Sequence, residues 1–180
     1  MKMKYTVLAL AAVAAAGFAA AAGHPATMHD LSFSSALDFS APEDAGLDAQ
    51  RIVFPRDAKP GAETMSITAV RFPADAVGAG GMSDGELLDY VKTAFLAVTG
   101  AGKPLERTFL GRKAAGEAFA KTIPVPVRAE AYVVALASGD KVVFGFAFSA
   151  EFAAQAERAI AEVAASLREP ATMKEAHESE

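Results

Sequence analysis

The sequence Ala-Tyr-Val-Val-Ala-Leu-Ala-Ser at 131–138 is joined by Gly-Asp at 139–140 to Lys-Val-Val-Phe-Gly-Phe-Ala-Phe at 141–148. β-Branched and aromatic residues dominate both runs, and such residues favour strands. Glycine supplies the positive φ that a two-residue hairpin turn requires. The stretch therefore predicts a β-hairpin in which Ser138 pairs with Lys141.

This register predicts which side chains of the hairpin share a face. Tyr132 would lie opposite Ala147 and Val133 opposite Phe146, so that large side chains meet small ones. Both faces of the hairpin are apolar, which is typical of strands that are covered on two sides. We therefore expect the sheet to lie between helices.

A helix over about 150–168 is predicted to follow the hairpin directly. Ser149 can cap its N-terminus, Glu151 lies where the helix dipole favours a negative charge, and Pro170 ends the pattern. One stripe of this helix should pack on the sheet, because apolar residues recur along it at helical spacing. These residues are Phe152, Ala156, Ala159, Ile160, Val163 and Leu167.

A second helix over about 84–98 is predicted from Ser83 and Glu86, whose Ser-x-x-Glu spacing allows a capping box. The order along the chain is strands, helix, strands, helix. That order predicts an α+β fold, an α/β/α sandwich with a mostly antiparallel central sheet and two main helices. The remaining strands are predicted over 33–39, 51–54, 64–72, 105–113 and 117–122.

The start of the chain has the features of an export signal. Two lysines precede an apolar, alanine-rich run that ends in Ala-x-Ala sites, which predicts a signal peptide over 1–22. An uncleaved membrane anchor is the alternative. Residues 23–32 are predicted to be a linker, 33–168 a single domain, and 169–180 a disordered acidic tail.

Composition excludes several classes of partner. The chain has no cysteine, so an exported form would have neither a disulfide nor a cysteine for lipid attachment. Its formal net charge is −5, and removal of Lys2 and Lys4 with a signal peptide would make it −7. An acidic surface disfavours nucleic acid and anionic lipid as main ligands. We expect a bacterial periplasmic or secreted protein with no lipid anchor and no nucleic-acid partner.

Several short motifs within 33–168 resemble the PsbP-like family, named for an extrinsic subunit of the oxygen-evolving photosystem. The resemblance implies an α/β/α sandwich and a role as an accessory or assembly partner of a larger complex. It carries over no catalytic residues. The motifs are Ala41-Pro42 after the first strand, Ser83-Asp84-Gly85-Glu86, Leu110-Gly111 with Gly116 after it, Ser138-Gly139-Asp140-Lys141, and Ala165-Ser166-Leu167.

The positions of the histidines limit the catalytic chemistry. His24, His29 and His177 all fall in predicted tails, so the predicted domain holds neither histidine nor cysteine. A Ser-His-Asp or Cys-His mechanism needs a preorganised base, which a tail does not supply. Ser138 and Lys141 have the Ser-x-x-Lys spacing of some acyl enzymes, but there the serine opens a helix and here it lies in a hairpin turn. We predict no catalytic residue and no cofactor.

An enzyme would have to use carboxylates or lysines, and the sequence does not rank them. Glu43, Asp44 and Asp48 could ligate a hard cation, but their spacing matches no calcium loop and favours a solvated acidic loop. The catalytic candidates are Asp38, Glu63, Asp89, Glu106, Glu117 and Lys121.

The predicted cleavage region offers one metal site. If the mature chain starts at Ala22, then Ala22-Gly23-His24 presents an amine, two amides and an imidazole, which can chelate square-planar Cu(II) or Ni(II). A start one residue to either side removes this geometry. His24 is therefore a metal-ligand candidate on that condition alone.

The leading hypothesis is an exported, non-enzymatic accessory or assembly protein that binds a protein partner, in a soluble or a membrane-associated complex. A periplasmic small-molecule or lipid carrier is the alternative. Its pocket would lie between sheet and helices, lined by Phe144, Phe146 or Phe148. Core packing equally accounts for these three rings.

Overall fold

The computed structural model describes residues 23–78, 80–98, 100–121 and 126–170 of the 180-residue chain. The predicted signal peptide and residues 171–180 of the predicted tail lie outside the described residues. The strands are β1 (His24–Met28), β2 (Leu31–Ser35), β3 (Glu43–Gly46), β4 (Ala49–Phe54), β5 (Met65–Phe72), β6 (Lys103–Phe109), β7 (Arg112–Lys121), β8 (Val127–Ala135) and β9 (Lys141–Ser149). The helices are α1 (Ala74–Val77), α2 (Asp84–Ala94) and α3 (Ala153–Ser166), and a 3-10 turn at Ala150–Phe152 precedes α3.

Seven strands form one antiparallel sheet in the order β3-β4-β5-β9-β8-β7-β6, and β1 and β2 form a separate antiparallel pair. α2 covers one face of the sheet, where Leu87 packs with Val143. α3 covers the other face, where Ile160 packs with Phe144. The predicted α+β sandwich with a mostly antiparallel central sheet is therefore confirmed.

The predicted hairpin is β8–β9, but its loop is one residue longer than expected. The backbone N–H of Gly139 donates to the carbonyl of Leu136 at 3.1 Å. Gly139 has a φ of 91°, which is the left-handed position of a three-residue hairpin loop. The predicted pairing of Ser138 with Lys141 is wrong, because Lys141 pairs with Ala135.

The resulting register separates large and small side chains by face. Tyr132 lies opposite Phe144 rather than Ala147, and Ala131 lies opposite Gly145. The face toward α3 is therefore rich in aromatic rings, and the face toward α2 consists of small and β-branched side chains. The hairpin is covered on both faces, as its composition predicts.

Gly116 permits close approach between β7 and β8. A Cβ built at this position would lie 2.4 Å from the carbonyl oxygen of Ala131 and 2.5 Å from Cδ1 of Tyr132. The Tyr132 ring, which is only 1% exposed, therefore lies against the β7 backbone at the place where any other residue would carry its side chain.

α2 begins as predicted and ends earlier. Glu86 accepts a hydrogen bond from Ser83 N at 2.7 Å and donates its own backbone N–H to Ser83 Oγ at 3.4 Å, which completes the capping box. The helix ends at Ala94, not at residue 98. Ala97 has a positive φ of 50°, which is incompatible with a continuing right-handed helix.

α3 packs as predicted but starts differently. The Ser149 side chain makes no capping hydrogen bond, so the predicted cap is wrong, and the 3-10 turn carries the chain to a helix that starts at Ala153. None of the helices in the four described ranges is long and apolar enough to cross a membrane. The apolar stripe is confirmed: Ala156, Ala159, Ile160, Val163 and Leu167 are each at most 1% exposed.

The predicted linker over 23–32 is wrong, because most of it belongs to the β1–β2 pair. Met28 and Leu31 are 0% and 1% exposed and belong to the core beneath α3. Ser32 and Arg168 exchange two backbone hydrogen bonds, of 3.0 and 2.8 Å, beyond the end of α3. The folded unit therefore includes β1 and β2 and does not start at residue 33.

Two other strand predictions need correction. β7 runs without interruption through 114–116, the gap between the strands predicted over 105–113 and 117–122, and the turn lies instead at Leu110-Gly111, where both residues have positive φ. The polar stretch 41–50, which resembles a turn in sequence, contains the short exposed edge strand β3. Edge strands of this kind can be polar, because neither face needs to be buried.

One ion pair ties the hairpin loop to β5. Arg71 donates to Asp140 Oδ2 from Nη2 at 2.6 Å and from Nε at 2.9 Å, and Ala74 N donates to Oδ1 at 3.0 Å. The side chains of Arg71 and Asp140 are 31% and 17% exposed. The hydrogen bonds from Arg71 hold the pKa of Asp140 below its usual value.

We expect Gly116→Ala to destabilise the protein by about 2 kcal/mol or more, because the added methyl group must displace backbone and the Tyr132 ring. Gly85→Ala is the matched control. Gly85 lies in the first turn of α2 with no atom within 4 Å of an added Cβ, and alanine favours a helix by up to about 1 kcal/mol. Urea unfolding measures both variants. Equal effects of the two substitutions would contradict the close approach at Gly116.

We expect Asp140→Asn to lower the free energy of unfolding by about 1 kcal/mol near neutral pH, because a charged acceptor is lost. A carboxyl with a lowered folded-state pKa contributes stability above its unfolded value of 3.8 and loses it as the pH falls through the folded-state pKa. The difference between the wild type and the variant should therefore shrink in acid below that value. Urea midpoints measured across this pH range test the prediction, and a difference that does not change with pH would refute it.

Candidate functional site

One surface cleft lies where α3 covers the sheet incompletely. Toward β7, on the face of the sheet that carries α3, Ala120 remains exposed. A cleft of about 600 Å³ opens there between the first turns of α3 and strands β6, β7 and β8. We name it the α3 cleft and define it by Lys103, Ala118, Ala120, Arg128, Glu130, Phe148, Ala153, Ala154 and Glu157.

Small side chains form the floor of the α3 cleft. Ala118 and Ala120 alternate on β7 with residues of the opposite face and therefore point to the same side as Tyr132. Phe148 and Ala153 form the apolar wall toward α3. Because alanine projects a single carbon from the sheet, the floor stays low while Phe148 rises beside it, and an apolar groove results.

A polar network connects the first half of α3 to the sheet. Tyr132 donates its hydroxyl proton to Glu130 Oε2 at 2.6 Å and accepts from Arg107 Nε at 3.3 Å. Arg107 Nη2 donates to Glu157 Oε1 on α3 at 2.5 Å. The guanidinium of Arg107 also lies 5.7 Å from the centre of the Tyr132 ring. The network therefore links three elements. Arg107 belongs to β6, Tyr132 and Glu130 belong to β8, and Glu157 belongs to α3.

Burial and the hydrogen bond to Glu130 raise the pKa of Tyr132 above its usual value of 10. Partial burial disfavours the charged form of Arg107 and by itself would lower its pKa. The hydrogen bonds with Glu157 and Tyr132 outweigh this effect and raise the pKa of Arg107. Tyr132 therefore stays protonated and Arg107 stays charged across the physiological pH range. The network is a fixed support rather than a group poised to exchange protons.

The α3 cleft also carries two cations outside this network. Lys103 on β6 and Arg128 on β8 are exposed at its rim. Their side chains form no ion pair with any residue that the structure describes. The two carboxylates of the cleft, Glu130 and Glu157, are held by Tyr132 and Arg107. The positive charge at the rim is therefore available to a ligand.

A second groove, of about 680 Å³, lies at the other end of α3, beside the β6–β7 turn. Thr108 and Leu110 border it on one side, and Ala165 and Arg168 border it on the other. Arg107 also borders this groove and so stands between the two openings along α3. The surface beside α3 is therefore elongated, with the polar network at its middle.

The carboxylates considered as catalytic candidates are dispersed, and each has a different partner. The side chain of Lys121 lies outside the described residues. Asp38 pairs with Arg56 at 2.5 Å, Glu63 with Arg51 at 3.5 Å, Asp89 with Lys92, and Glu106 with Lys113 at 2.8 Å, while Glu117 accepts from Gly102 N at 3.3 Å.

The Ser-x-x-Lys tetrapeptide lies in the β8–β9 loop, as predicted, and not at a helix start. Ser138 Oγ accepts the backbone N–H of Asp140 at 3.3 Å, which is a local turn contact. Lys141 Nζ pairs with Asp84 at 2.5 Å at the start of α2. The lysine therefore faces a carboxylate and not the serine.

The prediction that His24 and His29 lie in tails is wrong, because both belong to the β1–β2 hairpin. The ring Nε2 of His29 lies 2.9 Å from the carbonyl oxygen of Ala69. His24 lies on β1 with Nδ1 at 3.5 Å from Asp38 Oδ1. His177 lies outside the described residues. The folded unit thus holds two histidines, at its N-terminal edge.

The proposed terminal chelate at Ala22-Gly23-His24 stays a prediction, because Ala22 lies outside the described residues. Within the described ranges, no group of three or more histidine, aspartate or glutamate side chains is placed to hold a metal ion. Glu43, Asp44 and Asp48 are exposed around the β3–β4 turn.

The aromatic rings considered for a carrier pocket have different positions. Phe144 and Phe146 are 0% exposed in the core between the sheet and α3. Phe148 is 5% exposed and borders the α3 cleft. One of the three rings therefore contributes to a surface that a ligand can reach.

Sequence reasoning missed the residues that define the α3 cleft. Arg128, Glu130 and Tyr132 alternate along β8, and Lys103 and Arg107 share the same face of β6. A polar residue at every second position of an otherwise apolar strand is the signal that could have indicated them. Glu157 falls beside the apolar stripe of α3, and only the folded chain brings it to Arg107.

No model of a protein family matches the chain, and no curated protein matches it. Among solved structures, the Ran-binding protein Mog1p of Saccharomyces cerevisiae is similar with a TM-score of 0.54 and 10% identity, over 81% of this chain and 94% of Mog1p. LpqN of Mycobacterium tuberculosis, described as involved in cell envelope biogenesis, gives 0.46 and 13% identity, over 83% of this chain and 86% of LpqN.

A protein from Bacteroides thetaiotaomicron VPI-5482 gives a TM-score of 0.45 and 14% identity over 79% of this chain. The chain spans 46% of that protein's length. At these identities the likeness concerns the fold alone. The chain has a fold similar to that of Mog1p.

We expect Tyr132→Phe to lower the free energy of unfolding by about 1 to 2 kcal/mol, because Glu130 and Arg107 each lose a hydrogen-bond partner. Tyr90→Phe is the control. Tyr90 is half-buried against Phe72, and its hydroxyl makes no hydrogen bond to a described residue, so the change should stay within about 0.5 kcal/mol. Urea unfolding measures both, and equal effects would show that the network adds no stability.

Proposed function

We propose that this protein is a non-enzymatic accessory or assembly domain that binds a protein partner in the bacterial periplasm. The observation that carries the proposal is the elongated surface beside α3. It joins an apolar floor of Ala118 and Ala120 to the exposed cations Lys103 and Arg128. A groove with an apolar floor and a charged rim suits a protein segment that fills it and is oriented by its charges.

The network beneath α3 supports this interpretation. Glu130 and Glu157 are the two carboxylates of the cleft, and hydrogen bonds to Tyr132 and Arg107 already occupy them. Among the described residues, every buried side-chain nitrogen and oxygen has a hydrogen-bond partner. A surface held in place in this way presents a fixed shape to a partner, which reduces the entropy lost on binding.

The fold and the sequence support the proposal independently. Mog1p, whose fold is similar, is a Ran-binding protein, and so binds another protein. The motifs shared with the PsbP-like family favour a role in a larger complex. The basic start and alanine-rich run of residues 1–22 favour export, with the partner in solution or in a membrane-associated complex.

Native gel migration of the endogenous protein from a gently solubilised cell envelope, with mass spectrometry of the band, tests the proposed function. We expect migration well above the 18.6 kDa of one chain. Ala154→Arg should release the protein from the assembly, because Ala154 is exposed on α3 within the α3 cleft and a long charged side chain fills it.

Gln155→Arg is the matched control, because Gln155 is the next exposed residue of α3 and does not border the cleft. It should leave the assembly intact. Migration of the wild type as a single chain would refute the proposed function. Loss of the assembly in both variants would refute the α3 cleft as the binding surface, and turnover of a substrate abolished by Ala154→Arg would make the protein an enzyme.

A further inference from the structure

We propose that the α3 cleft binds an extended, acidic segment of the partner, with an apolar side chain on the floor and carboxylates at Lys103 and Arg128. This inference rests on the proposed function and names the chemistry of the partner. The occupant is a protein segment because the cleft is open and carries two separate cations on either side of an apolar floor, so that one extended chain can cross the floor and place a carboxylate at each cation.

The charges around the α3 cleft indicate that the bound segment is acidic. The ionisable groups around the α3 cleft are Lys103, Arg107, Arg128, Glu130 and Glu157, which leaves one net positive charge. The whole chain has a net charge of −5, so this positive region stands out from its surroundings. Of these groups, Lys103 and Arg128 have no partner in the described part of the chain. A carboxylate placed near them gains attraction without displacing an existing ion pair.

The strand register indicates how far apart the two acidic residues of the segment should be. Lys103 lies beside Ala118, and Arg128 lies beside Ala120, so that β7 separates the two cations. Two inter-strand spacings of about 4.8 Å, combined with an offset of two residues along β7 of about 7 Å, place their Cα atoms about 12 Å apart. Four residues of extended chain span about 14 Å, at about 3.4 Å each, and residues four positions apart point to the same side of the chain. The matching segment therefore carries two acidic residues four positions apart with an apolar residue midway between them, so that all three side chains face the cleft.

The apolar floor explains why the residue midway between the acids should be large and apolar. Ala118 and Ala120 leave space above the sheet that Phe148 and Ala153 border on one side. A leucine side chain bound there would cover alanine methyl groups and the edge of the Phe148 ring, and burial of apolar surface favours association. A lysine or glutamate at the same place would lose hydration without gaining a partner.

Fluorescence anisotropy with two labelled peptides tests the inference directly on the full chain. The first peptide is Gly-Ser-Glu-Ser-Leu-Ser-Glu-Ser-Gly, and the second has lysine in place of both glutamates. We expect the acidic peptide to bind at least tenfold more tightly than the basic one. The double variant Lys103→Glu with Arg128→Glu should reverse that preference, because it exchanges the sign of the rim.

The matched control is Lys59→Glu with Arg158→Glu, which changes the net charge equally at two exposed residues outside the cleft. It should keep the preference of the wild type for the acidic peptide. Equal loss in both double variants would refute the inference, since overall charge would then account for the binding. Displacement of the acidic peptide by laurate at micromolar concentration would also refute it, in favour of a fatty-acid carrier.

The inference and the proposed function can fail separately. If the native assembly persists in the Lys103→Glu and Arg128→Glu double variant but dissociates in Ala154→Arg, the acidic segment is refuted and the protein partner stands. If the acidic peptide binds as expected but the endogenous protein migrates alone, the cleft chemistry stands and the proposed function is refuted.

Discussion

The need to cover the β8–β9 hairpin on both faces shapes the rest of this protein. The strands β8 and β9 lie at the centre of the seven-stranded sheet, and most of their side chains are apolar on both sides. An apolar strand pair open to water on one face would lose about 1.5 to 3 kcal/mol for each large side chain left exposed. α2 and α3 supply the two covers, and the remaining strands extend the sheet on either side of the hairpin.

The two covers differ because the two faces differ. The face with Tyr132, Phe144 and Phe146 is tall, and it receives α3 together with the β1–β2 pair. The face with Ala131 and Gly145 carries small side chains and receives α2 and the residues that follow it at close range: a Cβ at Gly145 would lie 3.1 Å from Leu96, just beyond the end of α2. The side chains on the two faces thus differ in size, and this difference sets how closely each helix approaches the sheet. The difference follows from the observed register, in which each residue of β8 lies opposite a residue of β9 three positions away from the predicted partner.

The α3 cleft is a consequence of this packing and of its support. Aromatic rings raise α3 above β8 and β9, but from residue 114 to residue 120 β7 offers only alanine and glycine on that face, as at Gly116 and Ala118. Arg107, Tyr132 and Glu157 bridge the resulting gap with hydrogen bonds rather than with apolar contacts. Beyond the bridge the gap stays open, and that opening is the surface to which we assign partner binding.

The sequence by itself determined the sandwich, the central hairpin, the capping box at Ser83 and the buried stripe of α3, because these depend on local periodicity and local hydrogen bonds. Only the tertiary structure decided the hairpin register, because Gly139 fits a two-residue or a three-residue loop equally well and the packing of both faces chose between them. The β1–β2 pair was missed for a similar reason: Met28 and Leu31 are too few to give a periodic signal, yet they bury fully once α3 is in place. The α3 cleft depends on contacts between residues far apart in the chain, and no local pattern of residues encodes such contacts.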